Sequence, residues 1–256
     1  MFIGKRLLYL ELPKTGCSHV RKLLVKLPSC HGRKLGKHNT IYRLSPEELS
    51  TLPEKIKFGN IRNPWDWYVS LWAFGCMGRG LVHRVLTKKR DPAEARHSVV
   101  EWREVYHELR PELFRRWLQM LLVTHRADVG HGFHRNEISR SVGFLTHRYL
   151  KLYTVRVDPG LASIQNRQQL KNFDEQQNLL DFFVRTEHIA EDLLSILSAI
   201  PITEPEQHLI LRLSQSRTNS SVRSRDFREY YDGPTAELVA NHDDYLIRKH
   251  GYQFDP

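Results

Sequence analysis

Residues 9–24, YLELPKTGCSHVRKLL, contain the end of a strand, a turn and most of a helix in immediate succession. The apolar run over residues 6–12 is short and is bounded by Pro13, which favours a buried strand. Apolar residues then recur at helical spacing over residues 20–27, and Pro28 ends that pattern. Strands that pass directly into helices are the repeating unit of α/β folds, so this stretch predicts an α/β protein.

The turn itself, residues 13–19, is rich in small and polar side chains. Gly16 lets the backbone approach a ligand closely, and the successive N–H groups of the turn can form a concave anion site. The helix that follows points its positive end at the same place. Lys14 adds a mobile positive charge, while Ser18 and Thr15 offer hydroxyl donors. The turn therefore indicates an anion site; an ordinary strand–helix turn with a surface lysine is the alternative.

Familiar nucleotide-binding patterns are absent from this turn. Neither G-x-x-x-x-G-K-[ST] nor G-x-G-x-x-G occurs in it. Cys17 suggests a phosphatase nucleophile, because a thiol at a helix N-terminus has a lowered pKa. The arginine that such a phosphatase carries six residues later is replaced by Leu23. The pattern therefore gives Cys17 little weight as a nucleophile.

Composition limits the classes of partner and of location. The chain has 256 residues and a formal net charge of +10, which favours anionic partners over neutral ones. Its three cysteines lack metal-ligand spacing and indicate free thiols of a reducing compartment. No apolar stretch is long enough to cross a bilayer, and the sequence starts almost at once with a strand, so we expect neither a membrane span nor a signal peptide. These features predict a cytoplasmic protein.

A second strand–turn–helix unit repeats the arrangement. Residues 56–61 form an apolar strand that leads into Arg62. Asn63 is a natural N-cap and Pro64 a natural first helical residue, so we expect a helix to begin there. Ser70 follows Arg62 by eight residues, on the helix face that Asn63 also occupies. An arginine at the turn and a hydroxyl two turns into the helix predict a second phosphate site.

The remaining chain alternates between strand and helix patterns. Strands are predicted near residues 150–157 and 181–185, whereas residues 29–40 and 77–100 are predicted to lack regular structure. One helix is predicted from about residue 233 to Gly251. The pattern predicts a central parallel sheet flanked by helices on both faces, in a single domain of residues 1–256.

The two turns, in this order, resemble a known family. "PKTGCSHV" followed by "RNPWDWYVSLW" is similar to the paired signatures of sulfotransferases that use 3′-phosphoadenosine 5′-phosphosulfate (PAPS). The tail "FFVRTEHIAEDLLSIL … YYDGPTAELVANHDDYLIRKHGYQF" resembles carbohydrate-type and bacterial members. The resemblance covers both ends of the chain but not residues 77–180. It implies a P-loop-like three-layer fold and a PAPS-dependent sulfotransferase.

The resemblance also implies roles for individual residues. The 5′ end of PAPS would be held by the first turn, that is by Lys14, Thr15, Gly16, Cys17, Ser18 and His19. The family usually has Thr, Ser or Asn where His19 stands. Arg62 and Ser70 would hold the 3′-phosphate. The C-terminal Arg-Lys-Gly element of cytosolic members is missing, and the Ser/Arg-rich residues 214–228 supply the candidates to close over the nucleotide instead: Arg217, Asn219, Ser221 and Arg223.

Sulfuryl transfer needs charge neutralisation on the leaving oxygen and a base for the acceptor proton. Lys14 is expected to supply the first. His38 is the expected base, since related carbohydrate sulfotransferases carry a catalytic histidine in this interval and histidine changes its charge near neutral pH. Glu11, a carboxylate inside an apolar strand, is the alternative base. The family needs no metal, and the spacing of His125, His131 and His134 matches no compact ligand set.

The acceptor and the competing functions follow from the same argument. By analogy with the family, the acceptor is expected to be a hydroxyl of a glycan or a glycosylated metabolite. One alternative is an ATP-dependent P-loop kinase-like enzyme, whose phosphate-binding lysine motif and magnesium-binding acid are not found. The other is a non-catalytic basic protein that binds polyanions or nucleic acid, which the net charge permits. No nucleic-acid partner is expected under the sulfotransferase interpretation.

Overall fold

The protein is described from a computed structural model that covers residues 1–87, 96–124, 129, 132–133, 137–155, 161, 163–214, 223 and 225–255. The chain divides into two compact units. The first unit comprises Met1–Arg62, Tyr149–Asp158 and Phe173–Ser220, and the second comprises Asn63–Arg148, Pro159–Asn172 and Ser221–Pro256. The structure is α/β, as the sequence predicts, and the assignment of all 256 residues to one domain stays a prediction.

The described residues of the first unit form a five-stranded sheet. Its order is β3-β1-β2-β4-β5. Strand β2 runs parallel to β4, and β4 runs parallel to β5, whereas β1 is antiparallel to both β2 and β3. The strands are β1 Phe2–Gly4, β2 Leu7–Leu10, β3 Gly32–Lys34, β4 Ile56–Ile61 and β5 Phe182–Arg185.

The prediction of a parallel sheet was wrong at one edge of the sheet. Strand β1 connects to β2 through Lys5 and Arg6 alone, and a connection that short can only join antiparallel strands. Strand β3 lies within the segment predicted to be a loop, because its sequence is Gly-Arg-Lys. All three of its residues are exposed, and charged side chains are common on edge strands, where they discourage pairing with another chain. The sheet is therefore mixed.

The described helices, in chain order, are α1 Cys17–Lys26, α2 Pro46–Ser50, α3 Pro64–Cys76, α4 Leu81–Thr87, α5 Arg96–Glu104, α6 Pro111–Gln119, α7 Phe144–Tyr153, α8 Arg167–Gln177, α9 Ile189–Leu197, α10 Glu204–Ser214, α11 Gly233–His242 and α12 Asp244–His250. Helix α4 lies in the segment 77–100 that the sequence predicted to be irregular, and α5 begins in it. The last predicted helix is two helices, α11 and α12, and Gly251 ends the second in the left-handed region at φ 67°.

In the first unit, α1 and α9 share a hydrophobic core with one face of the sheet. Successive strand residues point to opposite faces, so Phe58 joins this core while Gly59 faces the other way. A Cβ atom at Gly59 would lie 2.6 Å from Cζ of Tyr153, so the ring of Tyr153 can only pack there against a glycine. Tyr153 ends α7, where the sequence predicted a strand over residues 150–157; that prediction was wrong for the described residues.

The described part of the second unit is helical. Asn63 caps α3, and its Oδ1 accepts hydrogen bonds from the N–H groups of Trp65 at 3.1 Å and Asp66 at 3.4 Å, with Pro64 in the first turn. The predicted start of this helix is thereby confirmed. The apolar face of α6 places Phe114 and Trp117 in the core, where they contact each other and Phe114 also contacts the ring of Trp72. Aromatic burial supplies much of the stability of such a helical unit.

A buried carboxylate between two helices of this unit binds to two further helices. Asp243, between α11 and α12, is fully buried. Its Oδ1 accepts hydrogen bonds from the backbone N–H and the hydroxyl of Thr146 at 2.8 and 2.6 Å, and its Oδ2 accepts one from the Tyr68 hydroxyl at 2.7 Å. Burial raises the pKa of Asp243, and these hydrogen bonds act in the opposite direction. The carboxylate thus satisfies three buried donors.

Replacing this carboxylate by a methyl group tests its contribution. Asp243→Ala leaves three buried donors without an acceptor, at about 1–3 kcal/mol each. We expect the free energy of unfolding in urea to fall by roughly 3–5 kcal/mol. The neighbouring Asp244→Ala is the control, because Asp244 pairs with Arg248, whose side chain is 77% exposed, and such a surface pair contributes about 0–1 kcal/mol. Equal losses in the two variants would contradict a structural role for Asp243.

Candidate functional site

The first predicted turn lies in the first unit, at the carboxyl end of β2. Gly16 is the N-cap of α1 and adopts the left-handed conformation, at φ 71°. Lys14 is also left-handed, at φ 65°. Left-handed backbone costs a non-glycine residue about 1–2 kcal/mol, and such strain is concentrated at functional sites. The positive φ is ordinary for Gly16, but Lys14 is held in a conformation that a lysine does not favour intrinsically.

The N-terminus of α1 lacks the groups that usually neutralise a helix end. No side chain caps it, and its first turn contains no acidic residue. The N–H groups of His19 and Val20 bond to the carbonyl oxygen of Gly16, at 2.8 and 3.2 Å. The first turn of this ten-residue helix thus has no acidic residue to neutralise its positive end. Its dipole favours an anion at the turn.

Two further cationic side chains of the first unit contact this turn. Lys37 Nζ lies 3.3 Å from the Ser18 hydroxyl oxygen. Arg62 donates a hydrogen bond from Nη1 to the Lys14 carbonyl oxygen, at 2.9 Å. The sequence singled out Lys14, Ser18 and Arg62, and it placed Arg62 in a separate phosphate site. It missed Lys37, because a contact between residues 19 positions apart leaves no periodic signal in the sequence.

Thr15 has a structural contact in the turn. Its side chain is fully buried, and its hydroxyl donates a hydrogen bond to the Leu12 carbonyl oxygen at 2.7 Å. A hydroxyl has a single proton to donate, so this group is not a second hydroxyl donor for an anion. Only the backbone N–H of Thr15 is left as a donor for an anion. Of the two predicted hydroxyl donors, that leaves Ser18.

His19 and Cys17 both lie in the first turn of α1, at 8% and 5% exposure. Burial lowers the pKa of His19, and the charge of Lys22 lowers it further, which favours a neutral imidazole at pH 7. Burial raises the pKa of Cys17 to about 11, and the negative charge of Glu11 adds to this effect. The helix N-terminus is therefore not accompanied by a reactive thiolate.

His38 is positioned by the backbone that enters the turn. Its Nδ1 lies 2.7 Å from the carbonyl oxygen of Glu11, and its own backbone is left-handed at φ 56°. A carbonyl oxygen only accepts hydrogen bonds, so Nδ1 carries the proton in this contact. In the neutral imidazole this leaves Nε2 as the nitrogen with the lone pair. His38 thus has the tautomer of a general base.

Glu11 is the other candidate base from the sequence. It is fully buried, and its Oε1 lies 2.5 Å from the α-amino nitrogen of Met1 and 3.4 Å from Nη1 of Arg21. Buried carboxylates are stabilised by such ion pairs. Oε2 of Glu11 has no hydrogen-bond partner among the described residues. Because the carboxylate is fully buried, it has no exposed surface to offer a substrate hydroxyl, so the geometry favours His38.

The second predicted phosphate site is distributed over the two units. Arg62 is the last residue of the first unit, whereas Ser70, at 3% exposure, lies on α3 in the second. The convergence of these two side chains on one phosphate stays a prediction. In the second unit, the guanidinium of Arg223 bonds to Asp66, which precedes Ser70 by one helical turn. Nη1 of Arg223 is buried and has no hydrogen-bond partner among the described residues.

Several predictions fall on residues that the structure does not describe. Asn219, Arg217 and Ser221, the other candidates to close over the nucleotide, are outside the described residues, as are His125, His131 and His134. Within the described ranges, no group of three or more His, Cys, Asp or Glu side chains is arranged to hold a metal ion. Across the same ranges, no helix is sufficiently long and apolar to span a membrane.

No protein-family model, no curated protein and no solved structure matches this chain. The candidate site is therefore defined by the residues of the chain itself. Its centre is the turn from Leu12 to His19, with Lys14, Lys37 and Arg62 around an uncompensated helix N-terminus.

The state of the Cys17 thiol can be measured directly. With a pKa of about 11, about one molecule in three thousand carries the thiolate at pH 7.5. We expect iodoacetamide to label Cys17 in the folded chain far more slowly than in the urea-unfolded chain, as followed by peptide mass spectrometry. Cys17→Ser should retain ligand binding at the turn. Rapid labelling of Cys17 in the folded chain would revive the phosphatase interpretation.

Proposed function

We propose that this chain is a sulfotransferase that transfers a sulfuryl group from PAPS to a hydroxyl of an acceptor, a glycan or a glycosylated metabolite. The observation that carries the proposal is the strained turn between β2 and α1, with its uncapped helix N-terminus and the contacts of Lys37 and Arg62. A P-loop-like three-layer arrangement, a single domain and a cytoplasmic location belong to the same proposal.

The donor set of the turn suits the 5′ end of PAPS. The N-cap is a glycine, so the cap residue itself has no side chain beside the first N–H groups of α1; a Cβ atom there would lie 2.9 Å from Cδ1 of Ile189. Cys17 and Ser18 present backbone N–H groups there, Ser18 adds a hydroxyl, and Lys14 and Lys37 supply positive charge. PAPS, when bound, would supply the sulfuryl group on a phosphate leaving group.

Each side chain then has a defined task. Lys14 and Lys37 neutralise negative charge at the turn, and Arg62 fixes the backbone of Lys14 through its carbonyl oxygen. Arg62 and Ser70 remain the residues that the sequence predicts to hold the 3′-phosphate, and Arg223 remains a residue predicted to close over the nucleotide. His38, fixed by the Glu11 carbonyl oxygen, accepts the acceptor hydroxyl proton at Nε2. None of these tasks calls for a metal ion.

Thermal stabilisation by 3′-phosphoadenosine 5′-phosphate (PAP), the desulfated product, tests the cofactor site. PAP at about 100 times its Kd should add about 2.7 kcal/mol to the free energy of unfolding. We expect PAP to raise Tm by several degrees, ADP to raise it much less, and Arg62→Ala to abolish the difference. The control is Arg33→Ala, because Arg33 is 60% exposed and pairs with Glu48.

An equal shift with ADP and PAP would favour the kinase-like alternative instead. If neither nucleotide raises Tm while heparin does so in a strongly salt-dependent way, the chain is a polyanion binder and not a sulfotransferase.

The proposed base is tested by separating turnover from binding. His38→Ala should lower turnover about 10²–10⁴-fold, because the variant lacks only the proton acceptor. The assay is run in the presence of EDTA. The stabilisation by PAP should be unchanged. The control is His31→Ala, since His31 is an exposed histidine of the same region that also has positive φ, 36°. Wild-type turnover in His38→Ala would show that another group is the base.

A further inference from the structure

Arg148 is a buried arginine that the proposed reaction does not use. It lies on α7 in the second unit, and its side chain is 5% exposed. The two preceding residues, Thr146 and His147, are fully buried, so this turn of α7 is surrounded by protein. Arginine is rarely buried to this extent unless its charge is paired.

The side chain of Arg148 makes no hydrogen bond and no ion pair with the other described residues. In the second unit only one carboxylate of the described ranges, Asp243, is buried, and its oxygens accept from Thr146 and Tyr68. By contrast, the half-buried Arg223 of the same unit pairs with Asp66. A buried charge without a partner costs several kcal/mol of effective desolvation.

The chain cannot remove this cost by losing the proton. Burial lowers the pKa of Arg148 to about 10, which leaves the guanidinium charged at neutral pH. A lysine at such a position would lose its proton, and with it its charge, far more readily. The positive charge of Arg148 therefore persists in the folded protein.

The side chain of Arg148 is not completely enclosed, since 5% of the residue remains exposed.

We propose that Arg148 is the centre of an oxyanion site in the second unit, which binds a carboxylate, sulfate or phosphate group. The planar guanidinium presents two parallel N–H donors that match the spacing of two oxyanion oxygens. A single buried arginine compensates one negative charge. The anion supplies the partner that the described residues lack, and it stabilises the folded chain by binding to it alone.

Sulfate is the probe for this site, and Arg148→Met removes the charge at nearly constant volume. We expect Arg148→Met to have the Tm of the wild type or a higher one in chloride, because an apolar side chain replaces an unpaired charge. Sulfate stabilises most proteins non-specifically, so the quantity compared is the extra Tm gain over chloride at equal ionic strength. That gain should be large in the wild type and in Arg140→Met, whose arginine is 66% exposed, and much smaller in Arg148→Met, which keeps only the first-unit turn as an anion site.

A second series of variants distinguishes binding at Arg148 from binding at the first-unit turn. Lys14→Ala should keep the sulfate gain that Arg148→Met loses, whether or not PAP binds. Arg148→Lys keeps a charge but not the paired donors, and calorimetric titration should show sulfate binding at least tenfold weaker than in the wild type. Acetate and phosphate titrations then show which oxyanion is preferred. Equal sulfate gains in wild type and Arg148→Met, or a strong loss of Tm in Arg148→Met in chloride, would overturn the proposal.

Discussion

The parallel pairing of β2 with β4 is the constraint on which the rest of the first unit depends. Its register places Leu10 opposite Gly59, so the two strands end at the same edge of the sheet. Arg62, just after β4, can then reach the Lys14 carbonyl oxygen in the turn after β2. Parallel strands carry their following turns to one edge of a sheet, which is where ligands of α/β proteins bind.

Polar groups beneath this edge add a second constraint. Asn60 is fully buried on β4; its Oδ1 accepts a hydrogen bond from the Tyr9 hydroxyl, and its carbonyl oxygen accepts one from Tyr153 at 2.7 Å. Tyr153 can approach because Gly59 has no side chain. Such buried hydrogen bonds favour one packing arrangement, although Nδ2 of Asn60 has no hydrogen-bond partner among the described residues. The turn that carries Lys14 thus starts from a rigid edge.

Two buried ionisable side chains of the second unit, Asp243 and Arg148, have opposite hydrogen-bonding environments. Asp243 receives three donors and so joins its helices. Arg148 receives none from the described residues, although both lie deep in the same unit. Burial moves both pKa values towards the neutral form, but only Asp243 has hydrogen bonds that favour its charged form. A charge left unpaired in the chain is the kind of feature that a ligand can complete.

Short-range sequence signals are sufficient to predict some of the structural elements. The strand at residues 56–61, the Asn63 cap and the glycine turn at Gly16 follow from nearest-neighbour propensities and cap chemistry. Tertiary structure alone decided the antiparallel edge strands and the helical state of α7, because packing overrides a weak strand propensity. It also decided the approach of Lys37 to the turn and the burial of Arg148, since contacts between residues distant in the chain arise only when the sheet and helices assemble.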